Sequence, residues 1–205
     1  MLSWSGWQLE LRSPDADESM KSGETPEEYT RRLAVYKSYA QIQAAGPGDF
    51  IIAADTIVVL NGQILAKPEN PQRAFEMLSD LRDRDHRVLT AVAIRQARDD
   101  SPRMDICCSD VHMRDYSNDE IRAYIESGDP LDKAGAYAIQ NREFDPVAGF
   151  AGCVASVMGL PLCHMERTLR SFLDYEATDW PEICQKKLEY TCPITKRVMS
   201  GEDIG

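Results

Sequence analysis

The apolar run Phe50-Ile-Ile-Ala-Ala-Asp-Thr-Ile-Val-Val-Leu60 carries one charge, Asp55. An ionised carboxylate in such a stretch is costly unless it is paired, bound to a metal or needed for a reaction. Asp55 is therefore the first candidate for chemistry, although a buried structural ion pair would read the same way. Lys67-Pro68 follows a tight turn from that run and can return to the strand end that bears Asp55. In Lys133-Ala-Gly-Ala-Tyr-Ala-Ile-Gln140, small residues after a lysine let the backbone approach a ligand. Gln140 carries an amide able to read the donors and acceptors of a base; a surface lysine before an edge strand is the plainer reading. Lys37 and the acidic Asp15-Ala-Asp-Glu18 stretch complete the set. Carboxylates with lysines suit phosphoryl or nucleotidyl chemistry, which needs a hard cation such as Mg²⁺, a base to orient water, and positive charge around an anionic ligand.

These residues need a scaffold. Gln8 to Arg12 alternates polar and apolar side chains and predicts a strand. Thr25-Pro26-Glu27-Glu28 is a capping box that opens a helix running to about Ala45, ended by Gly46-Pro47-Gly48. Residues Phe50 to Leu60 are too apolar for an exposed strand and predict a central one. Asn61-Gly62 turns the chain back through Gln63 to Lys67. Asn70-Pro71 caps a helix with Ala74, Met77, Leu78 and Leu81 on its apolar face. Strands are expected at His86 to Ala97, Met104 to Arg114 and Ala136 to Gln140, with a second capping box at Ser117 to Glu120. A last helix should run through Met165, Leu169 and Leu173, and the chain from Asp174 shows little periodicity. Strands and helices in this order predict an α/β or α+β sheet flanked by helices.

The 205 residues suffice for one domain, or one with an appendage. The net charge of −11 argues against a partner such as nucleic acid, whose backbone is bound through Lys and Arg. That charge is uneven: residues 1–28 hold seven acids and two bases, and residues 174–205 seven acids and four bases. No apolar run reaches membrane-spanning length and no signal peptide is legible, so no membrane partner and a cytoplasmic location are expected. The six cysteines read as thiols, adjacent Cys107 and Cys108 as packing residues. Cys153, Cys163, Cys184 and Cys192 leave open a zinc site, without the paired spacing common to such sites. His86, His112 and His164 form no ligand pair, and His86 reads as a hydrogen-bonded structural residue.

Several ordered motifs resemble the Maf family of nucleoside triphosphate pyrophosphatases. They are Pro14-Asp-Ala-Asp-Glu18, Pro26-Glu-Glu-Tyr-Thr-Arg-Arg-Leu-Ala34 with Lys37, Ala53-Ala-Asp-Thr56, Ile64-Leu-Ala-Lys-Pro68, His86-Arg-Val-Leu-Thr90, Asp132 to Gln140 and Gly159-Leu-Pro-Leu162. The resemblance runs from about Leu2 to Leu173, giving a domain at 1–173 and a tail at 174–205. It implies a twisted mixed sheet flanked by helices, a triphosphate cleft, Mg²⁺ dependence and commonly a homodimer. By the same resemblance Asp55 is the proton acceptor, Lys37, Lys67 and Lys133 surround the triphosphate, and Glu18 lies with Asp55 near the metal. Thr56 and Gln140 fall on positions associated with base selectivity, in the manner of the dTTP/UTP branch. The implied reaction is hydrolysis between the α- and β-phosphates of dTTP, UTP or modified pyrimidine nucleotides.

The family pattern opens with a strand and a Ser-x-Ser-Pro-Arg-Arg loop, and neither is in this sequence; Met1 to Gly6 lines up with the end of the helix that follows that loop. Two explanations compete: a start-site artefact or fragment of an active enzyme, which the intact remaining motifs favour, or a real shortened homologue with weak or no catalysis. A nucleotide-binding or regulatory role, associated in this family with cell division, is the alternative function. Loss of a first strand would expose sheet edges, so a chain of this length is expected to be less stable than one extended upstream.

Overall fold

The computed structural model describes residues 1–13, 16–40, 45, 46 and 48–204. Its helices are α1 (Pro26–Tyr39), α2 (Pro71–Leu81), α3 (Asn118–Glu126), α4 (Val154–Val157), α5 (Leu162–Leu169), α6 (Trp180–Leu188) and α7 (Thr195–Met199). Five strands, β1 (Phe50–Leu60), β2 (Gln63–Leu65), β3 (Asp85–Gln96), β4 (Arg103–Met113) and β5 (Val147–Ala151), form one sheet in the order β2-β1-β3-β4-β5. The α/β class with flanking helices is as expected. In place of the expected mixed directions, all four pairings among the described residues are antiparallel. Hairpins join β1 to β2 and β3 to β4, while α2 carries the chain from β2 to the far flank of β1, where β3 again runs opposite to it.

Local chemistry sets several boundaries. Thr25 and Glu28 cap α1 reciprocally, and Ser117 with Glu120 does the same for α3. Asn70 accepts from the Arg73 N–H at the start of α2, whose Ala74, Met77, Leu78 and Leu81 are all buried. Asn61 and Gly62, both at positive φ, make the tight turn.

Side-chain parity divides the core. Ile57, Val59 and Leu89 face α1, packing on Tyr29 and Leu33. On the opposite face Val58, Leu60 and Val88 meet α2 and α3. Farther along that face Val92, Ile94 and Cys107 meet α5 and α6.

Three local expectations are corrected, and a fourth falls outside the described residues. Residues Gln8 to Arg12 form no strand: among the described residues no strand pairs with them, and Leu11 is 85% exposed. Helix α1 ends at Tyr39; the expected extension reaches Gln41 to Ala44, outside the described residues. Ala136 to Gln140 is not a strand, because Gly135 and Ala136 take positive φ and Gly135 lies against Val58, where a Cβ would stand 2.8 Å from a methyl. Helix α5 stops at Leu169, leaving Leu173 fully exposed.

Beyond Asp174 the chain adds α6 and α7 to the core. Trp180 is completely buried, edge-on to Trp7 at 5.1 Å between ring centroids. Arg167 donates to the carbonyls of Val198 and Glu202, and His164 Nε2 lies 2.8 Å from that of Ile204.

Candidate active site

Only the last three residues of β1 pair with β2, so among the described residues Phe50 to Ile57 have a strand neighbour on the β3 side alone. A cavity of about 320 Å³ wraps this open edge. Adjacent strand residues point to opposite sheet faces. The cavity therefore gathers Asp55 and Thr56 although they lie on different faces of the sheet.

On the α1 face, Tyr29, Leu33 and Lys37 recur every four residues along the helix and line the cavity together. The Lys37 ammonium lies 2.5 Å from Asp55 Oδ1 and 3.0 Å from Glu18 Oε1. Tyr29 donates its hydroxyl to the Glu18 carbonyl at 2.6 Å, pinning the loop that brings Glu18 to the site. Burial raises the Asp55 carboxyl above the ordinary carboxylate value of 3.8, against the hydrogen bond and charge of Lys37. Burial works the other way on Lys37, yet Asp55 and Glu18 together raise its pKa. Asp55 Oδ2 is buried with no hydrogen-bond partner among the described residues. Lys67 stands exposed on the cavity wall, adding positive charge toward Asp55.

The other face is more apolar, with Val58, Val88, Val157 and Met158 beside Thr56. Gln140 is exposed at its margin. Lys133 also lines the cavity, but its ammonium donates to the Asp129 carbonyl at 2.7 Å and to Asp132 Oδ1 at 2.6 Å. A phosphate would have to displace Asp132, which is 80% exposed, to engage it. Glu18, Lys37, Asp55, Thr56, Lys67, Lys133 and Gln140 thus share one cavity.

Four contributors escaped the residue-type reading. Tyr29 and Leu33 could have been found from their helical spacing to Lys37. Asp132 was legible only as a neighbour of Lys133. Thr90, wholly buried beneath Thr56, looks in sequence like any β-branched strand residue. His86 is structural as expected: its Nε2 lies 2.7 Å from the Tyr137 hydroxyl, and burial lowers its pKa to about 4.

For a hard divalent cation, the unpartnered Asp55 Oδ2 and the convergence of Glu18 and Asp55 on one ammonium are a fitting oxygen-donor set. The cysteines do not support zinc. Among the described residues no group of three or more His, Cys, Asp or Glu is arranged to hold a metal ion. All six are free thiols, and burial, with the neighbouring cysteines, pushes Cys163 and Cys184 up to about 12. No helix among the described residues is long and apolar enough to cross a membrane.

Residues 1–172 match the family described as "Maf-like protein". A protein of Photorhabdus laumondii named dTTP/UTP pyrophosphatase is 43% identical over 169 residues, covering 81% of this chain and 84% of the relative. Relatives of the same name in Methylococcus capsulatus and Thermomicrobium roseum are 45% and 39% identical, covering 80% and 86% of this chain and 81% and 82% of their own lengths. With its family match spanning every residue that lines the cleft, the chain belongs to the Maf family.

Proposed function

We propose that the cleft hydrolyses the α–β phosphoanhydride of dTTP, UTP or a modified pyrimidine triphosphate, releasing the nucleoside monophosphate and pyrophosphate. The observation that carries this reading is Asp55, buried on the cleft wall with one oxygen on Lys37 and the other unpartnered. The names of the relatives supply the substrate class.

In this mechanism Asp55 Oδ2 accepts a proton from a water aligned with the α-phosphorus. The water oxygen bonds to that phosphorus as its bond to the bridging oxygen breaks, and pyrophosphate leaves with the bridging oxygen. A carboxyl raised by burial is a stronger base than a free one, while Lys37 holds it in place. Lys67 offsets charge on the departing phosphates, and Lys133 does so once Asp132 gives way. Glu18 would help to hold Mg²⁺ beside Asp55, and the ion would supply charge neutralisation on the triphosphate. The base lies across the strand edge, against Thr56 and within reach of Gln140.

Family membership extends the proposal to a homodimer in the cytoplasm. Residues 1–173 would form the catalytic domain, buttressed by the segment from 174 onward.

The test is pyrophosphate release from a panel of triphosphates with Mg²⁺. Wild type should favour dTTP and UTP. Asp55→Asn should retain binding and lose about 10²-fold to 10⁴-fold in turnover, the usual range for a positioned base. Undiminished turnover by Asp55→Asn would remove the assigned base. Binding without release by wild type would instead mark a nucleotide-binding homologue.

A further inference from the structure

Thr56 and Thr90 are direct partners across β1 and β3, with their hydroxyl oxygens 2.9 Å apart. Geometry alone leaves open which one donates, but the next bond decides it. The Thr90 hydroxyl lies 2.8 Å from the Ser156 carbonyl, which can only accept. Each hydroxyl has one proton. Thr90 spends its proton on Ser156, so Thr56 must spend its own on Thr90. What Thr56 turns toward the cleft is a lone pair.

Two features hold this arrangement. Thr90 and Ser156 are completely buried, so reversing the chain would strand the Thr90–Ser156 contact without water to replace it. The Ser156 carbonyl also accepts the Gly159 N–H at 2.8 Å, fixing the turn after α4. Gly159 has no side chain over Thr56; a Cβ there would stand 3.8 Å from the Thr56 hydroxyl.

We propose that Thr90 and the Ser156 carbonyl set the polarity of the Thr56 hydroxyl, making it an obligate acceptor that selects a pyrimidine with a ring N–H. This deepens the pyrimidine triphosphate reading and rests on it. Uracil and thymine carry N3–H between two carbonyls. Cytosine has an unprotonated N3, which would face the Thr56 lone pair. Thr56 touches the base; Thr90 is a positioning residue that acts through it.

The experiment compares kcat/KM for UTP and CTP in wild type, Thr90→Val, Thr90→Ser, Thr56→Val and Thr56→Val/Thr90→Val, with Kd for the non-hydrolysable α,β-imido analogues of both nucleotides. Wild type should prefer UTP. Thr90→Val frees the Thr56 proton to point into the cleft and should lower the UTP:CTP ratio about tenfold, the worth of roughly one hydrogen bond. Thr90→Ser keeps a proton for Ser156 and should restore the ratio. In the Thr56→Val background Thr90→Val should leave the ratio where Thr56→Val put it, whereas a purely structural role would shift it in both backgrounds. An unchanged ratio in a folded Thr90→Val, or a wild type that prefers CTP, overturns the proposal. If Thr90→Val does not fold, Thr56→Val alone carries the test, and an unchanged ratio there is equally fatal. Absence of release from every triphosphate defeats the catalytic reading separately, and the relay is then judged by the same ratios in Kd.

Discussion

Replacing Lys37 with Met isolates the electrostatics of the site. Lys37 reaches Asp55 Oδ1 at 2.5 Å, and Asp55 is only 7% exposed with its second oxygen unpartnered. Removing one member of a buried ion pair costs about 3–5 kcal/mol, because the remaining charge has nothing to offset its lost hydration. The Lys37 side chain is 21% exposed, so some screening by water lowers the expectation to about 2–4 kcal/mol. At about 2–4 °C per kcal/mol for a chain of this size, the melting temperature should fall by about 5–15 °C. The defect must depend on pH. Burial already raises the Asp55 pKa above 3.8, and loss of Lys37 raises it further. Through that interval the folded state binds the proton more tightly than the unfolded one, so stability is lost as pH rises. Urea unfolding followed by tryptophan fluorescence should therefore show a larger deficit for Lys37→Met at pH 7.5 than at pH 4. Adding Asp55→Asn should recover most of it at pH 7.5 and little at pH 4. Equal deficits at the two pH values, or simple addition of the two substitutions, would refute the reasoning.

Gly135→Ala should destabilise the fold by about 1–3 kcal/mol, since φ there is +67° and the new methyl would meet Val58 at 2.8–3.0 Å. Thermal melts should show partial relief from Val58→Ala in the same chain, and a neutral Gly135→Ala would contradict the close approach. His86 stays neutral in the fold until about pH 4, whereas an unfolded histidine protonates near 6.5. Stability is thus lost as pH falls between these values, by about 3 kcal/mol. His86→Gln should flatten that slope in chemical denaturation; an identical slope would assign the acid sensitivity elsewhere.

Asp55 was legible because a lone carboxylate in an apolar strand contradicts its surroundings, and the caps of α1, α2 and α3 because they are chemistry between near neighbours. The failures occurred where a distant partner decides. Gln8 to Arg12 has strand alternation but no strand beside it, and Ala136 to Gln140 yields to the approach of Gly135 to Val58. The chain after Asp174 looked aperiodic because α6 buries only two fully enclosed side chains, Trp180 and Cys184, one turn apart. Sequence grouped Lys133 with Asp55, whose cavity it lines, but could not show that Asp129 and Asp132 hold its ammonium. Nor could it orient the Thr56 hydroxyl, which depends on a carbonyl one hundred residues away.

The half-paired strand β1 bears on solubility. An apolar strand whose main-chain amides and carbonyls lack a neighbour is a template for another chain, and proteins ordinarily guard such borders with charge. Here the exposed guard is Lys67, which also lines the cleft, while Asp55 is buried against Lys37. A nucleotide seated along Ala54 to Thr56 would shield that border as it neutralises Lys67. Under the proposed function, substrate occupancy and resistance to edge-to-edge aggregation would be one property along the edge left open among the described residues, and a substitution that weakens nucleotide binding would remove that cover as well.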